Sequence, residues 1–149
     1  MTHSQPSNST DADPAIDFMS LLGRCLGNFK ILERVLVTFR DTGWSDLNQL
    51  EAAIERSDYQ VVVDISHRFK GAASNVSATA FTKLLMQAEQ FGHERDHFEL
   101  TRILGELRSE WEAIRRYVQV FAPATNALTL DSPTSTNEIS ETRHACAGC

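Results

Sequence analysis

The 149-residue chain has no run of about 18 apolar residues, the length a helix needs to cross a bilayer. Its first stretch, Met1 to Pro14, is polar and lacks the apolar segment of a secretory signal. Neither membrane insertion nor export is predicted, and the expected location is the cytoplasm. Basic charge is short as well: 14 Lys and Arg stand against 20 Asp and Glu, for a formal net charge of −6 and a pI near 5.3. A nucleic-acid binder would show a clustered basic face, and none is present. Cysteine is scarce, and three cannot close into pairs. Cys25 lies in an apolar helical segment and reads as a small buried hydrophobe. Cys146 and Cys149 form a lone Cys-Ala-Gly-Cys after His144, half of a metal or redox site without a second pair or a surrounding βαβ pattern. Neither a Walker-type glycine loop nor a G-x-G-x-x-G turn after a strand occurs, so ATP binding is not expected.

What the chain does contain is helical periodicity. Its hydrophobic content of 42% suffices for one core. Strand-like alternation of β-branched residues is nearly absent, so an all-α fold is predicted. Residues 1–14 and 123–149 are rich in Ser, Thr, Asn, Asp and Pro and read as a disordered leader and tail around a domain spanning 15–122. Asp13-Pro14 is expected to open a short helix from Ile16 to Leu26, ended by Gly27. Asn28 caps the next, with Phe29, Leu32, Leu36 and Phe39 on one side. Thr42-Gly43 predicts a break or kink there, with Ser45 recapping a continuation through Leu47, Leu50 and Ile54. A third helix should run from Ser57-Asp58 to about Ala78, and a fourth from Ala80 to Phe91, capped by Thr79 and stopped by Gly92. The last begins near Asp96 and carries Phe98, Ile103, Leu107, Trp111, Ile114 and Val118. Short connections between four long helices predict an antiparallel four-helix bundle with the short N-terminal helix across one end.

The third helix is the informative one. At about 100° per residue, Val62, Ile65, Phe69, Ala72, Ala73 and Val76 form one apolar stripe. His67 points roughly the opposite way, with Lys70, Gly71 and Ser74 at i+3, i+4 and i+7 beside it. An exposed histidine, a surface lysine or a helix glycine is ordinary alone. Together at these offsets they describe a nucleophilic imidazole, a cation one turn away that could hydrogen-bond an anionic group on it, and a gap where another molecule could approach. The glycine costs roughly 1 kcal/mol relative to alanine in a helix interior, so it calls for such a reason.

The string His67-Arg68-Phe69-Lys70-Gly71 and the small residues after it, through Ala78, resemble the centre of the histidine-containing phosphotransfer (HPt) domains, which reads His-x-x-Lys-Gly. The resemblance extends from about Ile16 to Phe121. One position departs: the family's glycine ten residues after the histidine is Ser77 here. The polar residue that the family carries opposite the histidine would be Glu89, with Gln87 and Gln90 as alternatives.

The resemblance implies a phosphorelay intermediate rather than an enzyme, with His67 phosphorylated by the aspartyl phosphate of a response-regulator receiver domain and then passing the group to another receiver. Lys70 would steady the phosphoryl group, and Arg68, Gly71, Ser74 and Glu89 would belong to the docking face, joined by exposed apolar residues among Phe18, Leu21 and Leu22. Partners would be receivers or a hybrid histidine kinase, with magnesium supplied by the receiver and no cofactor or metal held by this chain. The length suggests a free-standing carrier, and a monomer is expected. Two rivals stay open: a helical adaptor that binds a receiver without accepting phosphate, and a metal-dependent enzyme. The second arises because His93-Glu94-Arg95-Asp96-His97 matches H-E-x-x-H, the zinc protease pattern. That chemistry needs both histidines in mid-helix with an apolar backing, whereas this string follows Gly92 and carries Arg95 and Asp96, as a polar turn would.

Overall fold

A computed structural model of the chain describes residues 14–122. Five helices follow one another: α1 (Phe18–Arg24), α2 (Phe29–Glu55), α3 (Tyr59–Asn75), α4 (Thr79–Glu94) and α5 (His97–Phe121). Helix α3 packs between α2 and α4, α5 closes the ring against α4 and α2, and α1 leans on α2. The connections are too short for anything but reversal, so the four long helices form an antiparallel bundle with α1 at one end. None of the helices among the described residues is long and apolar enough to cross a membrane. The leader through Asp13, the tail from Pro123 and Cys146-Ala147-Gly148-Cys149 lie outside the described residues.

Side-chain caps start four of the helices: Asp17, Asn28, Asp58 and Asp96 each accept a first-turn backbone N–H. The start of α1 is therefore set by Asp17 and not by Asp13-Pro14. Helix ends are as regular. After α1, α2, α3 and α4 a non-glycine residue sits in the left-handed region, with φ of 54° at Leu26, 55° at Ser57, 58° at Ser77 and 58° at Arg95, and after α1 Gly27 follows at 72°. Each time the next N–H reaches back to close the last turn: Gly27 to Leu22, Asp58 to Ala53, Ala78 to Ala73 and Asp96 to Phe91. Helix α3 thus ends at Asn75, three residues before the expected Ala78, and Thr79 is the first residue of α4 instead of its cap.

Two glycines read as helix breakers are packing residues. Helix α2 runs unbroken through Thr42-Gly43, because Gly43 lies against the Trp111 ring, where a Cβ would collide. Helix α4 continues past Gly92 to Glu94, and a Cβ on Gly92 would stand 2.9 Å from Val63 Cγ2, so that glycine sets how closely α3 and α4 approach. The bundle centre is aromatic. Trp111 meets Phe39, Phe69 and Phe81 with ring centroids 5.4, 5.7 and 5.6 Å away, all four side chains nearly or fully buried.

Candidate functional site

Because α3 buries Val62, Ile65, Phe69 and Ala73, its opposite side is held outward. His67 stands there with 70% of its side chain exposed. Across the seam, burial of Leu85, Ala88 and Gly92 on α4 turns Glu89 toward α3. Its two carboxylate oxygens are divided between two residues of α3: Oε1 lies 2.8 Å from His67 Nδ1, and Oε2 accepts from Lys70 Nζ at 2.6 Å. The hydrogen bond from Lys70, more than that from His67, holds the Glu89 carboxyl below its ordinary value against the opposing effect of burial. Glu89 is thus ionised near neutral pH and has no proton to give. The contact with His67 then requires the hydrogen to be on Nδ1, and a neutral ring so fixed carries its free lone pair on Nε2.

The other expected site residues are distributed as follows. Gly71 lies beside His67, and a Cβ there would meet nothing within 4 Å, so packing does not demand the glycine and the surface next to the imidazole is flat. Ser74 is exposed further along the same face. Arg68, one position from His67, turns aside and donates to Asp46 of α2 at 2.6 Å. Asp46 drew no notice in the sequence, since the pairing joins residues 22 positions apart on different helices. Of the alternatives to Glu89, Gln90 donates to Glu94 and Gln87 is exposed; Glu89 is the one bonded to His67.

Leu21, expected among exposed docking residues, is buried in the core, and Phe18 and Leu22 are partly buried against it. The reason is that α1 lies flat on the bundle end: Leu21 points inward, and the Phe18 ring packs 5.2 Å from that of Phe121. Met19, Leu26, Phe29 and Phe121 are among the large apolar residues exposed at this end. His93 lies in the last turn of α4 and His97 begins α5, with left-handed Arg95 between them, so the two do not share a helix face. Among the described residues no group of three or more His, Cys, Asp or Glu is placed to hold a metal ion.

Residues 34–117, more than half of the chain, match the family model of the Hpt domain. The chain belongs to the Hpt domain family, whose role is phosphotransfer in two-component signalling. Its fold is similar to that of histidine-containing phosphotransfer protein B (HptB) from Pseudomonas aeruginosa PAO1, with a TM-score of 0.68 at 20% sequence identity over 72% of this chain and 94% of that one. No curated protein matches the chain in sequence.

Proposed function

We propose that this chain is a phosphorelay intermediate in which His67 takes a phosphoryl group from the aspartyl phosphate of one receiver domain and hands it to another. The observation that carries the reading is the Glu89 carboxylate shared between His67 Nδ1 and Lys70 Nζ. With Nδ1 carrying hydrogen, the Nε2 lone pair attacks phosphorus, the bond from phosphorus to the receiver's acyl oxygen breaks, and the receiver's carboxylate is the leaving group. No proton need move. The imidazole becomes cationic as the N–P bond forms, and Glu89 lies against that developing charge. Lys70, freed in part from Glu89, answers the negative charge on the phosphoryl oxygens. Transfer to the second receiver reverses these steps.

Phosphoryl transfer depends mainly on alignment and charge, so a positioned nucleophile and one cation are a sufficient contribution from this side. The receiver supplies the acid pocket and the magnesium ion, and the chain acts as a carrier without ATP-dependent kinase activity. Gly71 leaves the approach to the ring open.

The test is mass spectrometry of the protein after incubation with phosphorylated receivers. An acid-labile, base-stable phosphoryl group on His67, absent from His67→Gln, is expected. Binding of a receiver without any mass gain would identify an adaptor instead, and label persisting in His67→Gln would move the site elsewhere.

A further inference from the structure

On the His67 side of the bundle, a recess of about 220 Å³ lies where α1, the end of α3 and the start of α4 meet. Its lining does not follow from the needs of the fold. Alone among the five helices, α4 begins without a side-chain cap, because its cap position is Ala78. The first-turn N–H groups of a helix have no intrahelical acceptor, and the helix dipole makes that end favourable for negative charge. Ser77, just before it, lines the recess, is 7% exposed, and has a hydroxyl without a hydrogen-bond partner. Buried hydroxyls are normally paired. The same serine holds a φ of 58°, a conformation that glycine would adopt without strain.

Two cations complete the lining: Arg24 from α1 and Lys83 from α4, neither of which takes part in the ion pairs among the described residues. The acid in the recess, Asp17, is engaged elsewhere, its carboxylate accepting from Ser20 N at 3.1 Å and Ser20 Oγ at 2.7 Å. Two unengaged cations and an uncapped helix start converge on one hollow, with the unengaged Ser77 hydroxyl buried in its wall. Liquid water occupies about 30 Å³ per molecule, so the space is large enough for a carboxylate on its side-chain stem.

We propose that this recess is an oxyanion-binding subsite, and that its occupant is a carboxylate side chain of the receiver domain docked on the His67 face. The inference rests on the receiver-docking reading above. Ser74, which lines the recess, is seven residues from His67 on the same face of α3, about 10 Å along the helix. A standard protein interface covers roughly 800 Å² per partner, a disc about 16 Å in radius, so a footprint centred on His67 includes the recess. A complementary charge placed there fixes the rotational register of the receiver about the phosphoryl axis.

Two measurements test this. The first needs no receiver: acetate is titrated into the full chain while backbone amide resonances are followed. Saturable shifts at Ser77, Thr79, Ala80 and Phe81 are expected, absent from the Arg24→Gln, Lys83→Gln double variant and reduced in Ser77→Gly. Shifts no larger there than elsewhere would overturn the subsite whether or not His67 is phosphorylated. The second measures the dissociation constant of a receiver that exchanges phosphate with His67. The same double variant should bind roughly three- to tenfold more weakly, with a shallower salt dependence. A Lys30→Gln, Arg56→Gln control that removes the same net charge elsewhere should change affinity little. If acetate fills the recess but receiver affinity does not respond, or the control weakens binding equally, the assignment to a docking carboxylate is wrong while the phosphotransfer reading stands.

Discussion

Glu89 Oε1 lies 2.8 Å from His67 Nδ1, a contact that joins two helices and leaves the free lone pair of a neutral ring on Nε2. Replacing the carboxylate should separate its two uses. Glu89→Gln retains a carbonyl oxygen that can accept from Nδ1–H, and it releases Lys70, so transfer should stay within a few-fold of the parent. Glu89→Ala leaves the ring free to rotate and to change tautomer. Phosphoryl uptake should then slow by about tenfold or more, since alignment of the nucleophile is a large part of such a rate. Rapid-quench measurement of phosphorylation by a saturating receiver would distinguish them. Equal rates for the two variants would show that ring positioning does not depend on Glu89.

The same carboxylate makes stability depend on pH. Its protonation is disfavoured in the fold, chiefly by Lys70, so the unfolded chain binds the proton more readily. Stability from this group is then fully present above its ordinary value of 4.5 and is lost as pH falls through the lower folded value. Denaturant unfolding of the parent and of Glu89→Gln should differ by about 1 kcal/mol near neutrality. The gap should hold down to about pH 5 and close below the ordinary carboxyl value. A gap that widened toward acid would reverse the sign and exclude this origin.

The histidine face was legible in the sequence because a helix repeats: once the stripe through Ile65 and Phe69 is recognised, His67, Lys70 and Gly71 must lie outward. Helix boundaries were less legible, for a physical reason. At the four helix ends with left-handed residues the first of these is Leu26, Ser57, Ser77 or Arg95, and only after α1 does a left-handed glycine, Gly27, follow, whereas glycine is the residue whose backbone signals such a turn. Glycines that suggested breaks, Gly43 and Gly92, are instead required by neighbours distant in sequence, Trp111 and Val63. The pairings of Arg68 with Asp46 and of His67 with Glu89 likewise depend on how helices pack, which periodicity along one helix does not specify.

Three helix glycines should therefore respond differently to alanine. At Gly43 the new methyl would enter the space of the Trp111 ring, and at Gly92 it would press on Val63. Overpacking of this kind costs about 1 to 3 kcal/mol, more at Gly43 where an aromatic ring must move. At Gly71 a Cβ meets nothing within 4 Å, and alanine should raise stability by about 0.5 to 1 kcal/mol through helix propensity. Urea unfolding of the three variants checks the order. A destabilised Gly71→Ala would mean that this glycine also serves packing.

Changing both His93 and His97 to alanine tests the motif that competes with this reading. The two residues flank a turn, His93 in the last turn of α4 and His97 first in α5, and neither hydrogen-bonds His67 in the structure. Phosphotransfer should remain within about twofold of the parent, since neither supplies alignment or charge at the reacting atoms. Metal analysis should show no stoichiometric zinc lost on mutation. One tightly held zinc per chain, released in the double variant, would overturn the assignment of this segment to a turn.

Lys70 and Gly71 are adjacent yet should fail in different ways, which separates the chemistry from the docking. Lys70→Ala removes the cation beside the phosphoryl group and also leaves Glu89 with only His67 as partner. Charge-assisted hydrogen bonds are worth about 1.5 to 3 kcal/mol, so the transfer rate at saturating receiver should fall by roughly one to two orders of magnitude. Receiver affinity should change far less, because Lys70 lies partly beneath the surface and already has a partner in Glu89. Gly71→Gln does the reverse. Its side chain would project from open helix surface one turn from His67, where the receiver must approach, while the helix gains a few tenths of a kcal/mol or more by losing glycine. Binding should weaken, the melting temperature should hold or rise, and the rate at saturation should be nearer the parent than that of Lys70→Ala. Should Gly71→Gln bind and accept phosphate normally, the receiver cannot be landing on this face, because the structure offers no internal contact through which the substitution could be absorbed.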